Sequence, residues 1–372
     1  MNNYSNKKLK ADMTMLLNLP QDIIIEILLR VPVEYLITLK RVCKFLFKLI
    51  SDRYFASAHL DSHHEEDIFI EIMCVKPHIH GYSSIKLQEF KDMELKEVKM
   101  YSKGGVSLRA SCDGLMLLEN KRDGKQLYIC NPITCNCTTL PRLETQDEVR
   151  DWVVVLDDSI DHKYKVVGMS VDFHKCFVFK PEKTTSQWTV LHTPFEESLV
   201  LSTQFPPLVN KEFHWLRSTR CVTGSKENYE PCIYSVNAAK VAFRETKVSP
   251  MINCRYNHNS ILEVKGSLCL TDDTSPKQLD IWVLRYKENH NCQWTKSYNI
   301  ILESELHHPI HVYSFPPSNY LGRTIILVHH KNQLLFYDLE NKDSKIIDIE
   351  VDEGRPFTKC PFVHINSLVD WE

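Results

Sequence analysis

Residues 19–60 read LPQDIIIEILLRVPVEYLITLKRVCKFLFKLISDRYFASAHL and form the one helical block in a sequence that otherwise has the pattern of strands and turns. Apolar residues recur in it at helical spacing, as in Ile23, Ile24, Ile27 and Leu28. Pro20 suits a first helical turn, which needs no N–H there, and Pro32 ends the helix because its ring would clash with the preceding turn. The pattern predicts three short helices, too small a unit to bury a good core alone. We therefore expect this module to lie against another surface.

The same stretch carries the pattern of a known family. The matching positions, in order and without insertions, are Leu19-Pro20, Asp22, Glu26-Ile27-Leu28, Arg30-Val31-Pro32, Val42-Cys43-Lys44, Leu49-Ile50-Ser51-Asp52 and Phe55. They resemble the F-box motif of plant F-box proteins. The motif usually has Ser-Trp-Arg where this chain has Phe45-Leu46-Phe47, and it often has proline in place of Arg53.

The resemblance implies that the helical module docks onto the Skp-type adaptor of a cullin–RING ubiquitin ligase. Leu46 offers less apolar area than the usual Trp, which bears on the affinity for the adaptor. A helical cap that only covers the following domain is the alternative interpretation. The adaptor-binding residues that the resemblance implies are Leu19, Pro20, Ile27, Leu28, Val31, Pro32, Val42, Cys43 and Leu46.

Length and composition restrict the class of protein. The chain has 372 residues, 43% of them hydrophobic and 25% charged, as in ordinary globular domains. A formal net charge of −3 provides no basic face for nucleic acid. No run reaches the length of a membrane span, and the first fifteen residues lack the apolar core of a signal peptide. We therefore expect reduced cysteines, in the cytoplasm or the nucleus, and no binding to nucleic acid or membrane.

Beyond residue 66 the pattern changes from helix to strand. Short segments rich in Val, Ile, Phe, Tyr and Trp alternate with turn residues, as in DWVVVL, YKVVGMSV and CIYSVN. Asp113-Gly114, Asp123-Gly124 and Lys265-Gly266 supply turns between these runs. This pattern predicts many short antiparallel strands that are joined by hairpins. The predicted organisation is a flexible tail (1–17), the F-box (18–60), a linker (61–66) and a β-rich domain (67–372).

The strand pattern repeats. The centres of corresponding strands at Tyr128, Phe177, Ile233, Trp282 and Leu335 lie 49, 56, 49 and 53 residues apart. A period of this length is typical of kelch-like propeller blades, which bury their faces only against neighbouring blades. The chain is thus predicted to be α+β and multidomain, a three-helix F-box before an all-β propeller of about six blades. We expect the final strand, Phe362–Leu368, to close the ring against an N-terminal blade. An irregular pair of β-sandwiches is the alternative.

A second resemblance covers this region. The residues that carry it are Ser111–Leu115, Asn131–Thr134 with Leu140-Pro141, Asp161 with Tyr164–Val167, Gly266–Leu270, Ile281–Leu284 with Trp294–Lys296, and Asn366–Val369. Together they resemble the F-box-associated domain of plant F-box proteins. In Asn210–Trp215 the chain has Lys211 where the family pattern has Gly. The resemblance implies a platform that recruits a target protein.

Candidate chemistry is sparse. Cys130, Cys135 and Cys137 lie close together, but no CxxC pair or suitably spaced His completes a zinc site. The adjacent histidine pairs would diverge on a strand, and no nucleophile elbow or phosphate-binding glycine loop is present. We therefore predict no catalytic residue, no metal and no cofactor. Three segments, residues 198–210, 217–231 and 303–319, are predicted to be loops that could anchor a partner protein.

Two functions of different classes remain. The first is the substrate receptor of a ubiquitin ligase, which binds the adaptor, and through it the cullin and RING subunits, by the F-box and an unknown target by the propeller. The second is a non-degradative scaffold with a weakened F-box, and Phe45-Leu46-Phe47 is the feature that separates them. An oxidase-like propeller enzyme would need a metal site that the sequence does not offer.

Overall fold

The protein is described here from a computed structural model. The described residues are 18–62, 70–75, 82–86, 94–98, 106–120, 124–157, 163–181, 187–195, 198–200, 206–223, 226–237, 240, 242–254, 259–275, 277–286, 292–302, 310–314, 324–330, 333–348, 362–365 and 367–371. The predicted flexible tail, residues 1–17, lies outside them. Within these ranges no helix is long and apolar enough to span a membrane.

The N-terminal module has four helices, not the predicted three. They are α1 (Gln21–Leu29), α2 (Val33–Leu39), α3 (Lys44–Ile50) and α4 (Arg53–Ser62). The fourth begins at Asp52, whose carboxylate accepts hydrogen bonds from the backbone N–H groups of Tyr54 (2.9 Å) and Phe55 (3.2 Å). The apolar spacing weakens after Ile50, which is why periodicity alone missed this helix. It ends at Ser62, inside the predicted linker.

Beyond the helical module, the regular structure of the described residues is β-strand. The first eleven are β1 (Ile70–Val75), β2 (Tyr82–Lys86), β3 (Glu94–Val98), β4 (Val106–Cys112), β5 (Leu115–Asn120), β6 (Leu127–Asn131), β7 (Asn136–Thr139), β8 (Val149–Asp157), β9 (Lys163–Ser170), β10 (Lys175–Phe179) and β11 (Trp188–His192). The central ones are β12 (Ser198–Val200), β13 (Leu208–Val209), β14 (Glu212–Thr223), β15 (Lys226–Asn237) and β16 (Ala242–Lys247). The last nine are β17 (Ile261–Val264), β18 (Ser267–Ser275), β19 (Gln278–Tyr286), β20 (Cys292–Ile301), β21 (Ile310–Ser314), β22 (Ile325–His330), β23 (Gln333–Asp338), β24 (Ser344–Asp348) and β25 (Phe362–Ile365).

These strands pair as separate antiparallel sheets, which makes the domain a propeller and not a pair of sandwiches. Sheets 2 to 6 consist of consecutive strands: β4–β7, β8–β11, β12–β16, β17–β20 and β21–β24. Sheet 1 combines β1, β2 and β3 with the C-terminal β25. Strand β25 pairs with β1 from Ile70↔Ile365 to Met73↔Phe362, so the predicted pairing of the two chain ends is confirmed. The strand ends at Ile365 and not at the predicted Leu368, which lies in the core of the helical module.

The predicted repeat is confirmed at the level of single strands. Each of the five marker residues lies in the third strand of its sheet, which is β6, β10, β15, β19 or β23. Three of these strands end in an Asx residue that caps the next turn: Asn131, Asn237 and Asp338 accept hydrogen bonds from backbone N–H groups two or three residues later. The same local chemistry therefore recurs from blade to blade.

The core lies between neighbouring sheets. Trp152 and Val154 of β8 pack toward sheet 2, whereas Val153 and Val155 of the same strand pack toward sheet 4. Side chains alternate between the two faces of a strand, so a strand buried on both faces is apolar throughout. This explains the unbroken run DWVVVL. Similar clusters fill the spaces between sheets 4 and 5 and between sheets 5 and 6.

Besides the number of helices, expectations about the loops and the cysteines were wrong. The segment 217–231 is not a loop, because it lies in β14 and β15, which pair from Glu212↔Asn237 to Thr223↔Lys226. The cysteines are not all reduced, because Cys130 and Cys137, partners across β6 and β7, form a disulfide. The other two predicted loops also contain strands, since 198–210 includes β12 and β13 and 303–319 includes β21, while residues 201–205, 303–309 and 315–319 lie outside the described ranges.

Candidate functional site

Helix α1 is apolar on two sides. Ile24 and Leu28 are 1% and 2% exposed and belong to the core of the helical module. Leu19, Ile23 and Ile27, spaced four residues apart, are 40%, 48% and 42% exposed and form what we call the outer stripe. A helix that is apolar all round is normally buried. The outer stripe is therefore suited to contact another molecule.

Further exposed apolar side chains adjoin α2, α3 and α4. Of the fourteen large apolar residues that are exposed in the described ranges, eight lie between residues 19 and 54. Besides the outer stripe they are Tyr35, Val42, Phe45, Phe47 and Tyr54. Contiguous exposed apolar surface is a mark of protein–protein interaction sites. The helical module, and not the propeller, thus carries most of this surface.

The charges next to the start of α3 are basic. Arg41, Lys44 and Lys48 are exposed beside Val42, Phe45 and Phe47 in the sequence. Lys40 is half-buried, and burial lowers the pKa of its ammonium group while the negative charge of Asp370 partly offsets that effect. A partner that covers this part of the module would be complementary if it combined an apolar groove with acidic groups.

The structure separates the nine predicted adaptor-binding residues into three groups. Leu19, Pro20, Ile27 and Val42 are exposed; Val31, Pro32 and Cys43 are half-buried; Leu28 and Leu46 are buried. Whether any of them contacts an adaptor stays a prediction.

Three of these residues also have local structural roles. The carbonyl oxygens of Pro20 and Pro32 accept hydrogen bonds from the backbone N–H groups of Ile23 and Tyr35, each at 3.0 Å, so each proline begins a helix. The Cys43 sulfur accepts a hydrogen bond from the N–H of Leu46 and caps α3.

The predicted set omitted five exposed apolar residues. Ile23 lies four residues before Ile27 on α1, so helical spacing alone could have placed these two on one face, whereas Leu19 precedes Pro20 and the start of the helix. The other four are Tyr35, Phe45, Phe47 and Tyr54. Their exposure depends on how the four helices pack together, and no local pattern indicates it.

Leu46 is 1% exposed and packs in the core of the module. We expect Leu46→Trp to lower the free energy of unfolding by ~1–3 kcal/mol, because the larger ring overpacks this core. The neighbouring Phe47→Trp, at an exposed position, is the matched control and should change stability by less than about 0.5 kcal/mol. Chemical denaturation measures both. A Leu46→Trp protein as stable as wild type, with tighter adaptor binding, would place position 46 in an interface pocket instead.

The helical module shares its core with the propeller. Leu368, near the C-terminal end of the described residues, is buried in the core of the module. Ile133, from the turn between β6 and β7, packs against the same core. Leu60 of α4 packs in turn on the core between sheets 2 and 3. The imidazole Nε2 of His59 lies 2.9 Å from the carbonyl oxygen of Val31 and joins α4 to the end of α1. The helical module therefore packs against the propeller, as its small size led us to expect.

Comparison with known families gives two matches that cover most of the chain. A model of the F-box domain matches residues 16–57, and a model described as the F-box associated beta propeller domain matches residues 71–367. The domain boundaries at residues 60 and 67 stay a prediction.

Known plant proteins are similar over long stretches. F-box protein At5g49610 from Arabidopsis thaliana is 25% identical over 227 residues, which cover 54% of this chain and 59% of the relative. F-box protein At3g07870 from the same plant is 24% identical over 366 residues, covering 86% of this chain and 83% of the relative. Among solved structures, the alpha-L-arabinanase of Penicillium chrysogenum superposes with a TM-score of 0.40 at 11% identity, over 74% of this chain and 87% of that one. The chain belongs to the family of plant F-box proteins that carry a C-terminal F-box associated β-propeller domain.

Proposed function

We propose that the protein is the substrate-recognition subunit of an SCF ubiquitin ligase. The observation that carries the proposal is the outer stripe. The first helix of the F-box packs one apolar face into the core of its own module and leaves a second apolar face exposed. The F-box would bind a Skp-type adaptor, and the adaptor would bring the cullin and RING subunits. The propeller would hold the target protein.

In this role the protein forms no covalent bond itself. It raises the effective concentration of the target next to the charged ubiquitin-conjugating enzyme, and the chemistry belongs to other subunits. We propose accordingly that it is a non-catalytic receptor. The adaptor surface that fits best is apolar with acidic groups at its edge, because the exposed side chains around α3 are aromatic and basic.

The scaffold alternative rested on Leu46, which is smaller than the usual Trp. The structure places Leu46 in the core of the module, so its size removes no area from the exposed surface. The small size of Leu46 therefore does not support the scaffold alternative.

Affinity purification of the tagged full chain under proteasome inhibition, followed by mass spectrometry, tests the proposal. We expect adaptor and cullin to co-purify with wild type and to be lost with the Ile23→Glu/Ile27→Glu double variant, because charges on the outer stripe would be desolvated in the complex. Target proteins should co-purify with both the wild type and the double variant. Equal recovery of the adaptor with wild type and the double variant would refute an adaptor site on the outer stripe.

A further inference from the structure

The last described residues, Ser367–Trp371, which we call the C-terminal segment, enter two different cores. Leu368 is buried among the F-box helices. Val369 and Trp371 are buried in the core between sheets 2 and 3, where the Trp371 ring stacks on Phe179 with centroids 6.3 Å apart. Neighbouring residues of one short segment thus contribute to the packing of both domains, so the segment lies at the junction between them.

Sheet 2 receives this segment through Asn131, at the end of β6. Its side chain is 2% exposed, and its amide nitrogen donates hydrogen bonds to the carbonyl oxygens of Ser367 (3.0 Å) and Val369 (2.7 Å). Its carbonyl oxygen accepts the N–H groups of Ile133 (2.8 Å) and Thr134 (3.2 Å). One buried amide therefore shapes the turn and holds the C-terminal segment, using both its donors and its acceptor.

The turn between β4 and β5 approaches the segment from the other side. The Ser367 hydroxyl donates to the carbonyl oxygen of Asp113, and the Asp113 carboxylate accepts the hydroxyl of Tyr164 at 3.0 Å. Gly114 has a φ of +87°, and a Cβ at this position would lie 2.1 Å from the Ser367 hydroxyl oxygen. Glycine is required here both for the backbone conformation and for the close approach of Ser367.

The helical module contacts the same place. Ile133, two residues after Asn131 in the turn, packs against the F-box core, and the negative charge of Asp370 acts on the ammonium group of Lys40 and partly offsets the lowering of its pKa by burial. The Asp370 carboxylate also accepts a hydrogen bond from the Asn136 amide at 2.6 Å. Hence the C-terminal segment, the turn after β6 and the F-box helices form one continuous contact.

We propose that the C-terminal segment is a positioning element that holds the F-box helices at one fixed orientation on the propeller. The element consists of the segment, whose Leu368 enters the F-box core, and of two residues that hold the segment on the propeller, Asn131 through its side-chain amide and Gly114 through its lack of a side chain. The coupling itself does not depend on adaptor binding. Its consequence rests on the proposed function: a receptor that binds the adaptor by one domain and the target by the other fixes the distance that ubiquitin must cross.

The test measures the orientation, not the stability. Dyes are attached through p-azidophenylalanine at Thr38 on α2 and at Ile346 on β24, two exposed positions, and single-molecule energy transfer reports their distance in the full chain. We expect one narrow distance peak for the otherwise wild-type protein. Leu368→Ala and Asn131→Asp should each lose this single narrow peak, because the F-box contact or the amide donors are removed.

The chain offers matched controls. Asn237 lies at the end of β15, and its side-chain oxygen accepts a hydrogen bond from the N–H of Lys240 (2.9 Å). It therefore caps its turn as Asn131 does, but on a different blade. Leu262 is buried between sheets 5 and 6. We expect Asn237→Asp and Leu262→Ala to keep the narrow peak even where melting temperature falls. Leu368→Met, which conserves volume, should keep it as well.

Two results would overturn the proposal. The first is a narrow peak that survives in both Leu368→Ala and Asn131→Asp, which would show that the segment contributes stability alone. The second is equal broadening in the Asn237→Asp control. Titration with the Skp-type adaptor separates this proposal from the proposed function, because an adaptor that fails to bind wild type would refute the latter and leave the distance result intact.

Discussion

Deletion of residues 361–372 should abolish the single cooperative unfolding transition of the protein. The deletion removes β25, which pairs with β1 and so joins the two ends of the propeller. It also removes Leu368, Val369 and Trp371 from two cores. Burial of each such side chain is worth about 2 kcal/mol, whereas whole domains are stable by only about 5–15 kcal/mol.

The truncated protein would also expose the edge of β1 that β25 covers, and unpaired strand edges promote aggregation. Differential scanning calorimetry and light scattering should therefore show a broad, early transition and aggregates. Removal of residues 1–17, which make up the predicted tail, is the control and should leave the melting curve unchanged. A protein without residues 361–372 that melts like the full chain would indicate that pairing of the chain ends is dispensable.

Truncation of the outer stripe should weaken adaptor binding without loss of stability. We expect Ile27→Ala to cost about 2 kcal/mol or more, roughly a thirtyfold loss in affinity, if Ile27 is a well-buried anchor in the complex. Ile23→Ala should act in the same direction. Pro20→Ala should also bind more weakly, because Pro20 is exposed beside the outer stripe. Isothermal titration with purified adaptor measures each affinity.

The same helix provides the matched control. Ile24 differs from Ile23 by one position but is buried in the module core, so Ile24→Ala should lower the free energy of unfolding by about 2–5 kcal/mol. Its affinity for the adaptor, measured where the module is still folded, should stay near that of wild type. Normal adaptor binding by Ile23→Ala and Ile27→Ala would mean that the docking surface lies elsewhere on the helices.

Much of the architecture could be predicted because its signals are local. The marker residues Tyr128, Phe177, Ile233, Trp282 and Leu335 occupy the same place in successive sheets, since the alternation of apolar runs and turn residues depends on neighbours in the chain. The fourth helix was missed because its start depends on a single cap, Asp52, and not on apolar spacing.

The candidate site was predictable only in part. The sequence placed it on the F-box helices, but it could not separate Ile23 from Ile24 or show that Leu46 is buried, because α1 and α3 are apolar on more than one side. Which side faces inward depends on the packing of four helices and on Leu368, more than 300 residues away in the chain.

The F-box, the blade repeat and the final strand could thus be predicted from the sequence, because helical period, strand alternation and turn chemistry are short-range properties. That Asn131, Gly114 and Leu368 meet at the C-terminal segment follows only from the folded arrangement of the chain. The hydrogen bonds from Asn131 to this segment span 236 and 238 residues of chain, and the one from Ser367 to Asp113 spans 254. Contacts over such separations depend on how distant parts of the chain pack against each other, and no local pattern specifies that packing.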